Sequence, residues 1–175
     1  MNLKNRNLII AAILVLIAAS ALFLPQEEEL YGNDEASIKE IISTSELVTG
    51  EIAIVDRVDK DDTRIVSFFE NGQNPGIAVF KQNKAGNYEY KSIEKASNTT
   101  THAFLAHYGD FNKIYVFVTN EPKLAQIKLT INDKYEQTKE ITEGSKSMVW
   151  FDLDYPESQL EFHTQFLDRE GNELT

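Results

Sequence analysis

The stretch Ala125-Gln126-Ile127-Lys128-Leu129-Thr130-Ile131, followed by Asn132-Asp133 and a second run over 135–142, decides the fold. Ile127, Leu129 and Ile131 share one side of an extended chain, and Lys128 and Thr130 share the other. Alternation with period two is the mark of a strand with one buried and one wet face. Asn-Asp between two such runs is turn chemistry.

Outward from this stretch the pattern repeats. Strands are expected over 103–108, 113–118, 147–153 and 160–167, separated by Gly109-Asp110, Asn120-Glu121-Pro122, Glu143-Gly144 and Tyr155-Pro156. Val149, Phe151 and Leu153 form one inward row. Leu160, Phe162 and Phe166 form another, with Glu161, His163 and Gln165 outward. Six short strands at this spacing predict an antiparallel β-sandwich over 102–175, of immunoglobulin-like type, although the Cys…Trp…Cys hallmark is absent.

Upstream, 51–58 and 63–69 read as a hairpin across Asp59-Lys60-Asp61-Asp62. The turn signal Asn71-Gly72-Gln73-Asn74-Pro75-Gly76 leads to a second hairpin, 77–81 and 88–93, and 96–101 is a Ser/Asn/Thr loop. Before them, Asn33 or Asp34 can cap a helix over 34–44, whose Ile38, Ile41 and Ile42 make one apolar stripe. The expected class is α+β, mostly β: one N-terminal amphipathic helix and antiparallel hairpins over 34–96, then the sandwich.

The first 24 residues carry the address. Lys4 and Arg6 precede an apolar run from Leu8 to Leu24, closed by Pro25. As a helix the run is about 26 Å long, near the lower limit for crossing a bilayer. One reading is a retained signal-anchor: 1–7 cytoplasmic, 8–24 spanning, 25–33 an acidic linker and 34–175 outside the cell membrane. The other is a signal peptide cleaved near Ala21, where Ala19-Ser20-Ala21 fits the small-x-small pattern, releasing a secreted domain. The chain has no cysteine, so disulfides, thiol nucleophiles, thiolate metal sites and a lipid-modified N-terminal cysteine are excluded. Cysteine-free export behind a minimal anchor resembles the small single-pass envelope proteins of Gram-positive bacteria. The resemblance is one of layout, carried by no diagnostic motif, and implies an extracytoplasmic location without a particular activity.

Charge narrows the partners. Residues 26–175 hold all 28 acidic side chains and 15 of the 17 basic ones, a net charge of −13. Nucleic acid and anionic lipid headgroups want the opposite sign. A cationic peptide, a divalent metal, a neutral sugar or peptide strand, or a protein partner in the envelope remains compatible. No phosphate-cradling glycine loop or cofactor motif occurs, and no cofactor is expected.

Four sets of residues could carry chemistry. Residues 59–70 place oxygen-bearing side chains at EF-hand loop positions, which makes Asp59, Asp61 and Asp62 metal candidates; but Arg64 stands where the sharp turn needs glycine, and the flanks read as strands. His102, His107 and His163 show no convergent spacing. Asp152 with Asp154, and Asp168 with Glu170, are the carboxylate pairs a hydrolase would need, while Gly144-Ser145-Lys146-Ser147 reads as a hairpin turn rather than a nucleophile elbow. Met148 and Trp150, with Tyr115 and Phe117, form either an exposed aromatic face for a ligand or a core face on which the isoleucine stripe packs. The sequence therefore points to a membrane-anchored binding module rather than an enzyme. A wall or peptide hydrolase and an accessory subunit of a membrane complex are the alternatives.

Overall fold

The computed structural model describes residues 29–155 and 159–174. The expected anchor at Leu8–Leu24 and its cleavage point lie outside the described residues. Among the described residues no helix is long and apolar enough to cross a membrane.

Among the described residues, one helix and ten strands follow in chain order. Helix α1 spans Glu35–Ser43. Asp34 is its cap: the Asp34 carboxylate accepts from the Ser37 N–H at 2.9 Å, and the Ser37 hydroxyl accepts from the Asp34 N–H at 3.2 Å. This reciprocal pair satisfies two N–H groups that a helix start leaves unbonded. Strands β1 (Ile52–Lys60), β2 (Thr63–Glu70), β3 (Asn74–Gln82) and β4 (Tyr88–Lys95) form an antiparallel meander, sheet A. Strands β5 (Thr101–Tyr108), β6 (Phe111–Val118) and β9 (Ser147–Asp152) form sheet B, in the order β5-β6-β9. Strands β7 (Gln126–Ile131), β8 (Tyr135–Glu140) and β10 (Phe162–Leu167) form sheet C, in the order β10-β7-β8. The fold is α+β and mostly β, as expected.

Three apolar cores join these elements into four layers. Ile38, Ile41 and Ile42 of α1 pack with Ile52, Val66, Phe68, Ala78 and Phe80 on one face of sheet A. Ile65, Phe69, Ile77 and Val79 on its other face meet Phe104, Ala106, Phe111, Tyr115 and Phe117 of sheet B. The far face of sheet B, with Ile114, Val116, Val118 and Phe151, packs on Ile127, Leu129 and Ile131 of sheet C. Burying one such side chain fully is worth about 1.5–3 kcal/mol, so these three interfaces dominate stability.

Several local expectations are corrected. The Asp59–Asp62 loop is a two-residue turn: Lys60 pairs with Thr63, and Asp61 takes the left-handed conformation at φ +53°. Residues 143–146 do not close a hairpin, because β8 and β9 lie in different sheets and this segment crosses between them. Phe162 shares the inward parity of Phe166 yet is 43% exposed. The six strands of sheets B and C fall short of the seven of an immunoglobulin constant domain, so the description ends at the sandwich.

Candidate functional site

The three aspartates proposed as metal ligands are not brought together for that purpose. Asp59 accepts two bonds from the Arg64 guanidinium, at 2.7 and 2.6 Å, which hold its carboxyl below the usual carboxylate range. Asp62 pairs with Lys81 at 2.7 Å, and Asp61 stands in the turn. Arg64 is itself buried on the helix side of sheet A. Among the described residues no three His, Cys, Asp or Glu side chains converge on a point that could hold a metal. His102 packs on Phe104 with ring centroids 4.5 Å apart, His107 contacts Asn112, and His163 is exposed on β10.

The carboxylate pairs are also separately engaged. Asp152 binds Lys113 at 2.5 Å, and Asp154 lies 3.7 Å from Lys60. Asp168 turns back on its own loop, accepting from the Glu170 and Asn172 N–H groups. Glu70 is the buried carboxylate of the described residues, and it is saturated with donors. Lys95 Nζ lies 2.7 Å away, the Thr49 and Gly50 N–H groups 2.6 and 2.9 Å, and Asn74 Nδ2 3.2 Å. These bonds, led by that from Lys95, outweigh its burial and lower its pKa from the ordinary 4.5 to about 2.

The four aromatic-face candidates divide. Tyr115 and Phe117 are buried at 1% and 0% exposure, so they offer nothing to a ligand at the surface. Phe117 meets Phe69 and Phe104 edge to face, with centroids 5.4 and 5.6 Å apart. What covers this face is sheet A; the isoleucine stripe, expected here, packs on the opposite side of that sheet. Met148 and Trp150 share the face but stand at its edge, on β9, half-buried. The Lys113 ammonium lies 3.4 Å from the Trp150 ring centroid, and Lys139 lies at 5.4 Å. Trp150 is therefore a cation-capped wall rather than a free stacking platform.

Beside Trp150 runs an open groove of about 390 Å³, lined by Val55, Asp56, Lys139, Met148, Val149 and Trp150. Its rim is made by an irregularity in β1. The register to β2 shifts between Ile54 and Asp56, so Val55 is an extra residue without a partner and is 42% exposed. A bulge of this kind bends an edge strand and re-aims its side chains. The groove thus offers apolar walls with one acid and one lysine at its margins, an arrangement suited to holding a side chain or short segment.

Sequence reasoning missed Val55, Arg64 and Lys113. A bulge leaves no pattern in one sequence. Arg64 did leave a signal: it stands on the same side of its strand as Val66 and Phe68, an inward position for a charge. Its Nη1 donates to the Gly32 carbonyl at 2.7 Å and its guanidinium lies 3.7 Å over the Tyr88 ring, so it clamps the chain entering the domain onto sheet A.

Neither protein-family models, nor curated proteins, nor solved structures give a match to this chain.

Proposed function

We propose that this chain is a membrane-anchored, extracytoplasmic interaction module of the cell envelope, held by Leu8–Leu24 and acting by binding rather than by catalysis. The groove between the Val55 bulge and Trp150 carries the reading: it is open, mixed in polarity, and formed where the edges of three sheets, β1, β8 and β9, meet. The Arg64 clamp is consistent with it, because it fixes the residues next to the acidic linker and so couples the β domain to whatever holds the N-terminus. Glu70 argues against the hydrolase alternative: a general acid needs a raised pKa, and this buried carboxylate is held ionised. The accessory-subunit reading would be favoured by apolar helix residues left unfilled, and Ile38, Ile41 and Ile42 are all filled by sheet A.

The test is photocrosslinking in intact cells of the source organism, with a benzophenone side chain at Val55 and, as control, at the exposed Tyr90 on β4. A discrete adduct formed from Val55 and absent from Tyr90 is the expected result. If the two positions give the same pattern while the purified full chain turns over wall fragments, the binding reading fails.

A further inference from the structure

The sandwich of sheets B and C is open along one side. Contacts between the sheets define which side. Gln137 of β8 donates to the Asp152 carbonyl of β9 at 2.7 Å, and Lys139 of β8 reaches Trp150 of β9. With β8 over β9, the strand orders place β10 on the side of β5. On β5, Phe104 and Ala106 enter the core with sheet A, so Ala103, Leu105 and His107 turn toward sheet C, yet all three are exposed and Leu105 is 47% exposed. On β10, Phe162 points into the sandwich and is 43% exposed. Both lie toward the same end: Phe162 is level with Ile131 and Tyr135, and Tyr135 stacks on Tyr155, just past Asp152. Leu105 lies one row in, level with Ile114 and Phe151.

The other end of this side shows what closes it. After Leu167 the chain turns, Glu173 bridges to Leu167, and the Leu174 N–H donates to the Phe166 carbonyl at 2.8 Å. Leu174 then packs on the core. A short extended segment on the outer edge of β10 is therefore the cover used where a cover is present. The edge continues beyond it. Leu167 and Glu161 direct their carbonyls to the β7 side, toward Ala125 and Asn132, whereas Phe166 directs its own outward. By the alternation of an antiparallel ladder, Thr164 and Phe162 present their N–H and C=O groups to the outer edge as well. Among the described residues, 162–165 have no strand on that edge.

We infer that the outer edge of β10 at Phe162 and Thr164 accepts an extended, basic peptide strand from a partner protein, whose apolar side chains alternate onto Leu105 and Phe162. A strand supplies both things this side lacks, ladder hydrogen bonds and an apolar lid. Charge selects the occupant. Asp110 and Asp133 stand in the turns at this end, with Glu161 and Asp154. Lys60, near Asp154, and Lys134 offset part of this charge, but the end stays acidic, on a region with net charge −13. A second copy would bring the same acidic rim against itself, whereas a lysine-bearing strand would be drawn in.

The probe is a ten-residue peptide alternating valine with lysine and threonine, titrated against the full chain in detergent by fluorescence anisotropy. Its controls have glutamate in place of lysine, or a central proline. Binding of the basic peptide, at least tenfold weaker binding of both controls, and slowed amide exchange at Phe162 and Thr164 are expected. Thr164→Pro removes an outward N–H without touching the β7 ladder, and Leu105→Lys removes the apolar seat; each should weaken binding at least tenfold. Leu105 is exposed, so that variant decides the question if Thr164→Pro does not fold. Equal binding of the proline-interrupted peptide, or of Leu105→Lys, would reduce the contact to charge alone and overturn the inference. So would slow exchange at both amides in the chain without peptide, as monomer or as dimer, because the edge would then already be covered.

Discussion

The Lys95 ammonium stands 2.7 Å from the Glu70 carboxylate where β2 and β4 both end, with Glu70 at 1% exposure. The same carboxylate accepts from the Thr49 and Gly50 backbone, so one acid ties the segment after α1 to sheet A. Glu70→Gln keeps the shape and leaves Lys95 without its countercharge, at an expected cost of about 3 kcal/mol near neutral pH. The sign with pH follows from the depressed pKa. The contribution is complete above about 4.5, shrinks as pH falls through the interval, and is gone below about 2. Urea midpoints measured against pH should show a flatter acid limb in the variant and convergence with the parent at the acid end. Two parallel curves would rule out the ion pair as the cause.

Tyr115 carries the reverse situation. Its hydroxyl is buried without a hydrogen-bond partner, and burial, then the charges of Asp56 and Asp152, raise its pKa. An unsatisfied buried hydroxyl costs free energy, so Tyr115→Phe should be neutral or stabilising by up to about 1 kcal/mol. Thermal unfolding checks it. A clear loss of stability would mean that the hydroxyl has a partner, such as a bound water.

Gly76 and Gly109 should respond differently to substitution. A Cβ on Gly76 would lie 2.4 Å from the buried Phe68 ring and 2.9 Å from the Glu94 carbonyl, neither free to retreat. Gly109 has open space but a φ of +61°, which L-residues adopt at a cost. Alanine at position 76 should cost about 1–3 kcal/mol through crowding, and asparagine should cost more. At position 109 alanine should cost about 1–2 kcal/mol, and asparagine, which tolerates left-handed backbone, less than alanine. Chemical denaturation of the four variants separates the two mechanisms; the same ranking at both sites would refute the distinction.

Much of this architecture was legible, and its hidden part has one physical source. The stripe Ile38, Ile41, Ile42 and the alternation Ile127, Leu129, Ile131 each mark a single buried face, and the structure buries them as read. The stacking of three sheets was not read, although a signal for it exists. Strands β3 and β6 carry unbroken apolar runs, Ile77-Ala78-Val79-Phe80 and Ile114-Tyr115-Val116-Phe117-Val118, and β2 pairs Ile65-Val66 with Phe68-Phe69 across a single serine; all three have both faces buried. A strand without a polar side belongs inside a stack, which already places Tyr115 and Phe117 in a core. The Val55 groove and the exposure of Phe162 depend on which strand stands opposite which, and local periodicity does not encode that.

Arg64 gives the last prediction, and the one closest to function. Its fork takes Asp59 with Nε and Nη2, leaving Nη1 for the carbonyls of Gly32 and Asn33, at 2.7 and 3.3 Å. The entry segment is held there by further bonds: the Gly32 N–H donates to the Tyr88 carbonyl, and the Tyr88 N–H to the Asn33 side chain. Lysine cannot reproduce a planar fork that also stacks on Tyr88, so Arg64→Lys should behave much like Arg64→Met. Both should lose about 2 kcal/mol and speed amide exchange at Gly32 and Tyr88, with the sheet B and C amides unchanged. Lys39→Ala, which breaks the exposed Lys39–Glu35 pair, should change nothing measurable. If Gly32 and Tyr88 exchange at the parent rate in Arg64→Met, the clamp is not what holds the entry segment. The Gly32–Tyr88 and Asn33–Tyr88 hydrogen bonds would then be what holds it.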